Sequence, residues 1–221
     1  MIKKVLIAED IDSINEGLVN FLSDTFNFEI VQAKYCDEAY LKIKRAILDE
    51  EPFDLLITDL SFKQDHRDAN LKDGEMLMNR LRDEAIDIKA IMYSIEDRPF
   101  RVRQLIDKLR LSAFVTKGRN SINDLKQVIQ AISKGEAIPV APQRDQLPGE
   151  ESMNLDDYDI ALLSKLSEGL SQEEIGQLFK DNNIKPASLS SIEKRINKLK
   201  IYLKAKNTIH LIAIAKDMGI I

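Results

Sequence analysis

Leu55-Leu56-Ile57-Thr58-Asp59 is the stretch on which the reading of this chain turns. Four consecutive residues fit for a buried interior run straight into a carboxylate. A strand covered on both faces reads as a short unbroken apolar run, and its polar end marks where it leaves the sheet. The same pattern recurs on either side. Val5-Leu6-Ile7-Ala8 precedes Glu9-Asp10, Ile88-Lys89-Ala90-Ile91-Met92-Tyr93 precedes Ser94, and Ala113-Phe114-Val115-Thr116 precedes Lys117. Phe28-Glu29-Ile30-Val31 is interrupted by a charge and is expected near a sheet edge.

Helical spacing fills the intervals. Asp12 or Ser13 can cap a helix carrying Ile14, Leu18, Phe21 and Leu22. Ala39, Leu41, Ile43, Ala46 and Ile47 mark a second helix over about 37–49, and Met76, Leu77 and Leu81 a third after Asp73-Gly74. A fourth lies near 99–110, and Ser121 opens a fifth with Leu125, Val128, Ile129 and Ile132. Five strands alternating with five helices predict an α/β fold, a doubly wound five-stranded parallel sheet. Ligands of such sheets bind beyond the carboxyl ends of the strands. Glu9, Asp10, Asp59, Ser94 and Lys117 are therefore expected in one pocket.

The composition narrows the class. Among 221 residues there is no apolar run long enough to span a membrane, and the first apolar run is too short for a secretory signal. One cysteine, Cys36, allows no internal disulfide, and with only two histidines a zinc site is not expected. A reducing cytoplasm is the natural setting. The net charge of −5 argues against nucleic acid only until it is divided by region. Residues 180–206 hold eight basic side chains against two acidic ones.

Pro139, Pro142 and Pro148, with Gly135 and Gly149, mark a linker over 135–153. The expected division is thus 1–134, 135–153 and 154–221. No strand signal follows the linker. Helices are expected over 155–166, after a capping box from Ser171 to Glu174, after another from Ser190 to Glu193 as far as about 204, and over 208–218 up to Gly219. In the third of these, Ile192, Ile196, Leu199 and Leu203 form one apolar stripe, and Ser190, Lys194, Asn197 and Lys198 lie opposite it. A small, polar, basic face suits a major groove, and Lys180, Lys185, Lys200, Lys204 and Lys206 could meet phosphates. The alternative is a solvated basic helix face.

The strand-end residues fit aspartyl-phosphate chemistry. Asp59 is a carboxylate nucleophile. Clustered carboxylates repel one another, and a hard cation such as Mg²⁺ relieves this while bridging to a phosphoryl oxygen. Lys117 can pair with that phosphoryl group, or with Asp59 before transfer. Ser94 offers a hydroxyl. Taken singly, each is better read as a turn former, a cap or a surface lysine. Four strand ends supplying complementary groups in chain order form a more specific pattern.

On these residues, 1–134 resembles the receiver domain of two-component response regulators, a flavodoxin-like fold. The resemblance implies that Asp59 takes phosphate from a sensor histidine kinase or phosphotransfer protein. It implies Mg²⁺ held by Asp10, Asp59 and the backbone carbonyl of Ser61, with Glu9 nearby. It also implies that Ser94 moves toward the phosphate and that Phe114 is the strand-five aromatic that turns inward; ordinary core packing is the other reading of Phe114.

Residues 155–221 resemble the helix-turn-helix domain of the NarL/FixJ/LuxR class. The matching stretches are Leu162-Leu163, Leu170-Ser171, Glu174-Ile175-Gly176, 188–192 and Leu203-Lys204-Ala205-Lys206-Asn207. That resemblance implies double-stranded DNA as partner, a homodimer when active, and a transcription regulator rather than an enzyme. Several positions depart from the family pattern. The loop 61–72 is long and charged, Ile95 replaces a small residue, and Gly118 replaces a proline. The turn 180–187 is extended, and Glu193 stands where a basic residue is common. A protein-interaction module and a phosphorylation-independent regulator remain as alternatives. A phosphatase is disfavoured, because Ser61 stands where a second carboxylate would follow Asp59.

Overall fold

Five strands, β1 (Lys4–Ala8), β2 (Glu29–Ala33), β3 (Leu55–Thr58), β4 (Lys89–Ser94) and β5 (Ala113–Thr116), form a parallel sheet in the order β2-β1-β3-β4-β5. The computed structural model describes residues 2–63, 69–136 and 155–221. The middle of the loop after β3, with His66, and nearly all of the expected linker lie outside those residues. The chain divides into two compact units, one carrying the sheet and one carrying the last four helices.

Strand alternation sorts the first unit into two cores. Leu6, Ala8, Leu56, Ala90, Met92 and Phe114 face Ile43 of α2 (Cys36–Leu48), Leu77 of α3 (Gly74–Asp83) and Leu105 of α4 (Pro99–Leu109). Their alternate neighbours Val5, Ile7, Leu55, Ile57, Ile91 and Val115 face Leu18 and Leu22 of α1 (Asp12–Thr25) and Leu125 and Ile129 of α5 (Ser121–Lys134). Period-two side chains on strands covered from both sides produce this division. Phe114 lies in the first core, so in this conformation it packs as an interior aromatic.

The order places β1 next to both β2 and β3, so the chain reverses its direction of travel across the sheet between β1 and β3. Such a switch point opens a crevice at the carboxyl ends. Register does the rest. Ala8 pairs with Thr58, and Asp59 N–H donates to the Ala8 carbonyl at 3.0 Å, so Glu9-Asp10 and Asp59 emerge side by side. Ser94 pairs with Thr116, and Lys117 N–H donates to the Ser94 carbonyl at 2.7 Å.

Local details of the first unit differ from expectation on α1, α2 and α3. Ile11, not Asp12 or Ser13, holds the N-cap position of α1, and Asp12 lies in the first turn, where its charge still favours the helix dipole. On α2, Ala39, Ile43 and Ala46 are buried, whereas Leu41 and Ile47 face solvent; on α3, Met78 is buried and Met76 is exposed. Apolar letters overfilled the stripe, and only one helical face can reach the sheet.

The second unit packs α6 (Asp157–Ser167), α7 (Gln172–Asp181), α8 (Leu189–Tyr202) and α9 (Thr208–Asp217). Their shared core includes Leu162, Leu163, Ile175, Phe179, Ile192, Ile196, Leu199 and Leu211. The capping box at Ser171 and Glu174 forms. The one expected at Ser190 and Glu193 does not. Ser188 is the cap, its side chain accepting from Ser191 N–H, so α8 starts earlier and Ser190 sits inside its first turn. Gly219 ends the chain's last helical segment with a left-handed φ of 73°.

Candidate functional site

At the carboxyl edge of the sheet, Lys117 Nζ lies 2.6 Å from Asp59 Oδ2 and 2.7 Å from Glu9 Oε2. All three side chains are largely shielded from water. Asp10 stands beside them at the more open side. Glu9, Asp10 and Asp59 each offer a carboxylate oxygen within 4.8 Å of the others. The backbone holds these groups in place. Asp59 Oδ1 accepts from Leu60 N–H at 2.6 Å and Ser61 N–H at 3.3 Å, and Asp10 Oδ2 accepts from Lys63 N–H at 2.7 Å.

Burial pushes the Glu9 carboxyl above its ordinary value, against the pull of Lys117. Burial would lower Lys117, but hydrogen bonds to Asp59 and Glu9 outweigh it and raise the ammonium above its usual range. One cation is therefore shared between two carboxylates, with Asp10 adding a third acid nearby. The donor set is all oxygen and net negative, which fits a hard divalent ion.

Ser94 lies at the end of β4 and is fully buried, and its hydroxyl has no hydrogen-bond partner among the described residues. An orphaned buried hydroxyl one strand from Asp59 is suited to meet an incoming oxygen. Ile95 is 75% exposed. It stands in solvent rather than in the pocket wall.

The helical unit presents a different surface. Ser190, Lys194, Asn197 and Lys198 are exposed along one side of α8, opposite buried Ile192, Ile196 and Leu199. Leu203 is partly buried and follows α8. Lys180, Lys185, Lys204 and Lys206 are exposed, while Lys200 is half-buried. Glu193 is exposed on the same helix. Arg195, by contrast, turns inward. Its guanidinium bonds Asp159 Oδ2 at 2.7 Å, pairs also with Asp156, and sits 5.9 Å from the Tyr158 ring. Asp159 foremost, with Asp156, raises the Arg195 pKa still further above its ordinary value. The Tyr158 hydroxyl donates to the Pro186 carbonyl at 2.7 Å, fastening the long turn between α7 and α8.

Solved structures match nearly the whole chain. A structure of two RcsB dimers bound to two parallel DNAs covers 98% of this chain and 99% of its own, at 20% identity and a TM-score of 0.65. The two-component response regulator RcsB–DNA complex gives 98%, 99%, 19% and 0.62 in the same order. RcsB from Salmonella enterica serovar Typhimurium, bound to promoter rprA in the presence of phosphomimetic BeF3-, gives 97%, 98%, 20% and 0.60.

This chain shares their fold.

No protein-family model matches it, and no curated protein matches it. The likeness to the RcsB structures takes in both the sheet and the helical unit.

Several contributors escaped the sequence reading. Gly74 packs where a Cβ would lie 2.0 Å from the Asp59 backbone oxygen. The Thr58 hydroxyl donates to the same oxygen at 2.9 Å. The Tyr93 ring lies 5.4 Å from Lys117 Nζ, and its hydroxyl shares a 2.8 Å hydrogen bond with Ser121. Asn15 donates to the Glu9 carbonyl at 3.0 Å. The Asp73-Gly74 pair was a visible signal, since such a pair marks a turn or helix start. The roles of Tyr93 and Asn15 arise only from packing.

Proposed function

We propose that this chain is a two-domain response regulator, with a receiver over 1–134, a linker over 135–153 and a DNA-binding domain over 154–221. Asp59 accepts a phosphoryl group from a sensor histidine kinase or phosphotransfer protein. The helical domain then acts on double-stranded DNA as a cytoplasmic transcription regulator, homodimeric when active. The observation that carries this reading is Lys117 held between Asp59 and Glu9 beside Asp10, at the switch point of a fold shared with DNA-bound regulators.

The chemistry follows from the pocket. An Asp59 carboxylate oxygen attacks phosphorus as the donor's bond to phosphorus breaks, leaving an acyl phosphate. Glu9, Asp10 and Asp59, with the Ser61 backbone, would hold Mg²⁺, which would neutralise charge on the transferring group when bound. Lys117 is within reach of the new phosphoryl oxygens once Asp59 Oδ2 no longer occupies it. Ser94 supplies a hydroxyl to another. These new contacts favour one of two receiver conformations, and Phe114 is the aromatic proposed to move with it.

The helical domain lays Ser190, Lys194, Asn197 and Lys198 toward the major groove while flanking lysines meet phosphates. Genome-wide DNA selection with and without an acyl-phosphate donor and Mg²⁺ tests the whole. The donor should raise site-specific binding, and Asp59→Asn should remove that rise. Unchanged selection by wild type would sink the switching claim, and no DNA enrichment would favour a protein-interaction module. DNA enrichment without phosphate incorporation by intact mass would favour a phosphorylation-independent regulator.

A further inference from the structure

We infer that Asp37 is a positioning residue for the cation site, acting through the loop that follows β3. Asp37 lies in the first turn of α2, far from Asp59 in sequence. Its Oδ2 accepts from Asn70 N–H at 2.9 Å and its Oδ1 from Leu71 N–H at 3.1 Å. The other described end of the loop is held by the acidic site itself, through Lys63 N–H to Asp10 and through Leu60 and Ser61 N–H to Asp59. Ser61 also bridges to Asp73, and Phe62 and Leu71 pack against the core beneath. One carboxylate outside the pocket and two inside it thus fasten the same loop.

The inference rests on the proposed cation site. Backbone N–H groups that donate to a ligating carboxylate fix its orientation, and losing such a partner weakens the metal. Releasing Leu71 loosens the neighbouring Asp73 and its bridge to Ser61, and with it the Ser61 N–H that orients Asp59. Coupling is reciprocal, so a cation that orders Asp59 also steadies Ser61, Asn70 and Leu71.

The test is Mg²⁺ titration of the full chain by calorimetry, paired with hydrogen exchange of those three backbone amides by NMR. Asp37→Ala should weaken Mg²⁺ by about threefold or more. Asp37→Asn should recover part of the loss, because its amide oxygen still accepts. Asn70→Pro removes a donor from the loop side without touching α2 and should weaken Mg²⁺ in the same direction; it decides the matter if Asp37→Ala does not fold. In wild type, Mg²⁺ should slow exchange at all three amides. Equal Mg²⁺ affinity in wild type, Asp37→Ala and Asn70→Pro overturns the inference and leaves the cation site intact. Failure of wild type to bind Mg²⁺ overturns the cation site, and the inference with it.

Discussion

Gly74 stands against Asp59 so closely that a Cβ at position 74 would lie 2.0 Å from the Asp59 carbonyl oxygen. The start of α3 is thereby pinned to the residue proposed to take phosphate, and Gly74 N–H donates to the Leu60 carbonyl at 3.0 Å. Gly74→Ala should cost roughly 1–3 kcal/mol through overpacking, read from urea unfolding. Because the displaced backbone is that of Asp59 itself, Mg²⁺ affinity should also fall under conditions where the variant is fully folded. Unchanged stability would show that α3 can slide away from the pocket.

Ser94 separates stability from switching. Its hydroxyl is buried without a partner among the described residues, and such a group costs about 1–3 kcal/mol. Ser94→Ala should therefore leave the unliganded protein as stable as wild type, or more so by about 1 kcal/mol. The thermal stabilisation produced by Mg²⁺ with BeF3- should shrink. A marked fall in unliganded stability would mean that the hydroxyl has a partner.

Acid should act through Glu84. Lys44 first, then the Tyr40 hydroxyl and Arg80, hold its carboxyl down to about 2. A folded value below the unfolded one means that the contribution is complete above the ordinary carboxylate range and is lost as pH falls toward 2. Glu84→Gln should make the loss of stability across about pH 4.5 to 2 slightly shallower, since other lowered carboxylates titrate in the same window. Glu9 has the opposite sign. Its raised value favours the fold below the ordinary range, and that advantage disappears as pH rises through the folded value. Glu9→Gln should accordingly make stability fall less, or rise more, between pH 4 and pH 7 than in wild type, read from chemical unfolding at the two values.

On the face proposed to meet DNA, Lys194→Ala and Lys198→Ala should each weaken binding. If each lysine meets a phosphate, the slope of log affinity against log salt should become shallower by about 0.9 per substitution. A lysine that reads a base edge would instead relax preference at one position with little change in slope. Affinity measured at several salt concentrations on matched and mismatched sites separates the two.

How much of this was written in the letters differs from element to element. β3 and β1 were plain because strands buried on both faces must be apolar throughout, and Glu9-Asp10 and Asp59 mark where they end. The neighbour relations of the strands were not visible, since alternation of strand and helix implies a parallel sheet without its order. Caps were misread at Asp12 and Ser190 because several polar residues compete there, and backbone angles choose among them. At α8 that choice fell on Ser188. Asp73-Gly74 announced a helix start but not its contact with Asp59, and Asp37 and Tyr93 were silent as functional residues. Each acts on the pocket across a tertiary contact, which no local spacing encodes.

Arg195 is the single arginine of α8, and its planar fork is committed to Asp156 and Asp159 at home. The polar outward side of that helix is left with ammonium groups, small hydroxyls, the carboxylate of Glu193 and the one carboxamide of Asn197. Read as a vocabulary, this is strong in grip and poor in letters, because bidentate base recognition from α8 falls chiefly to Asn197 and flexible lysines. For the proposed DNA-bound homodimer, the address on a genome would then lie in how far apart two half-sites stand and how readily the duplex bends between them, more than in the spelling of either.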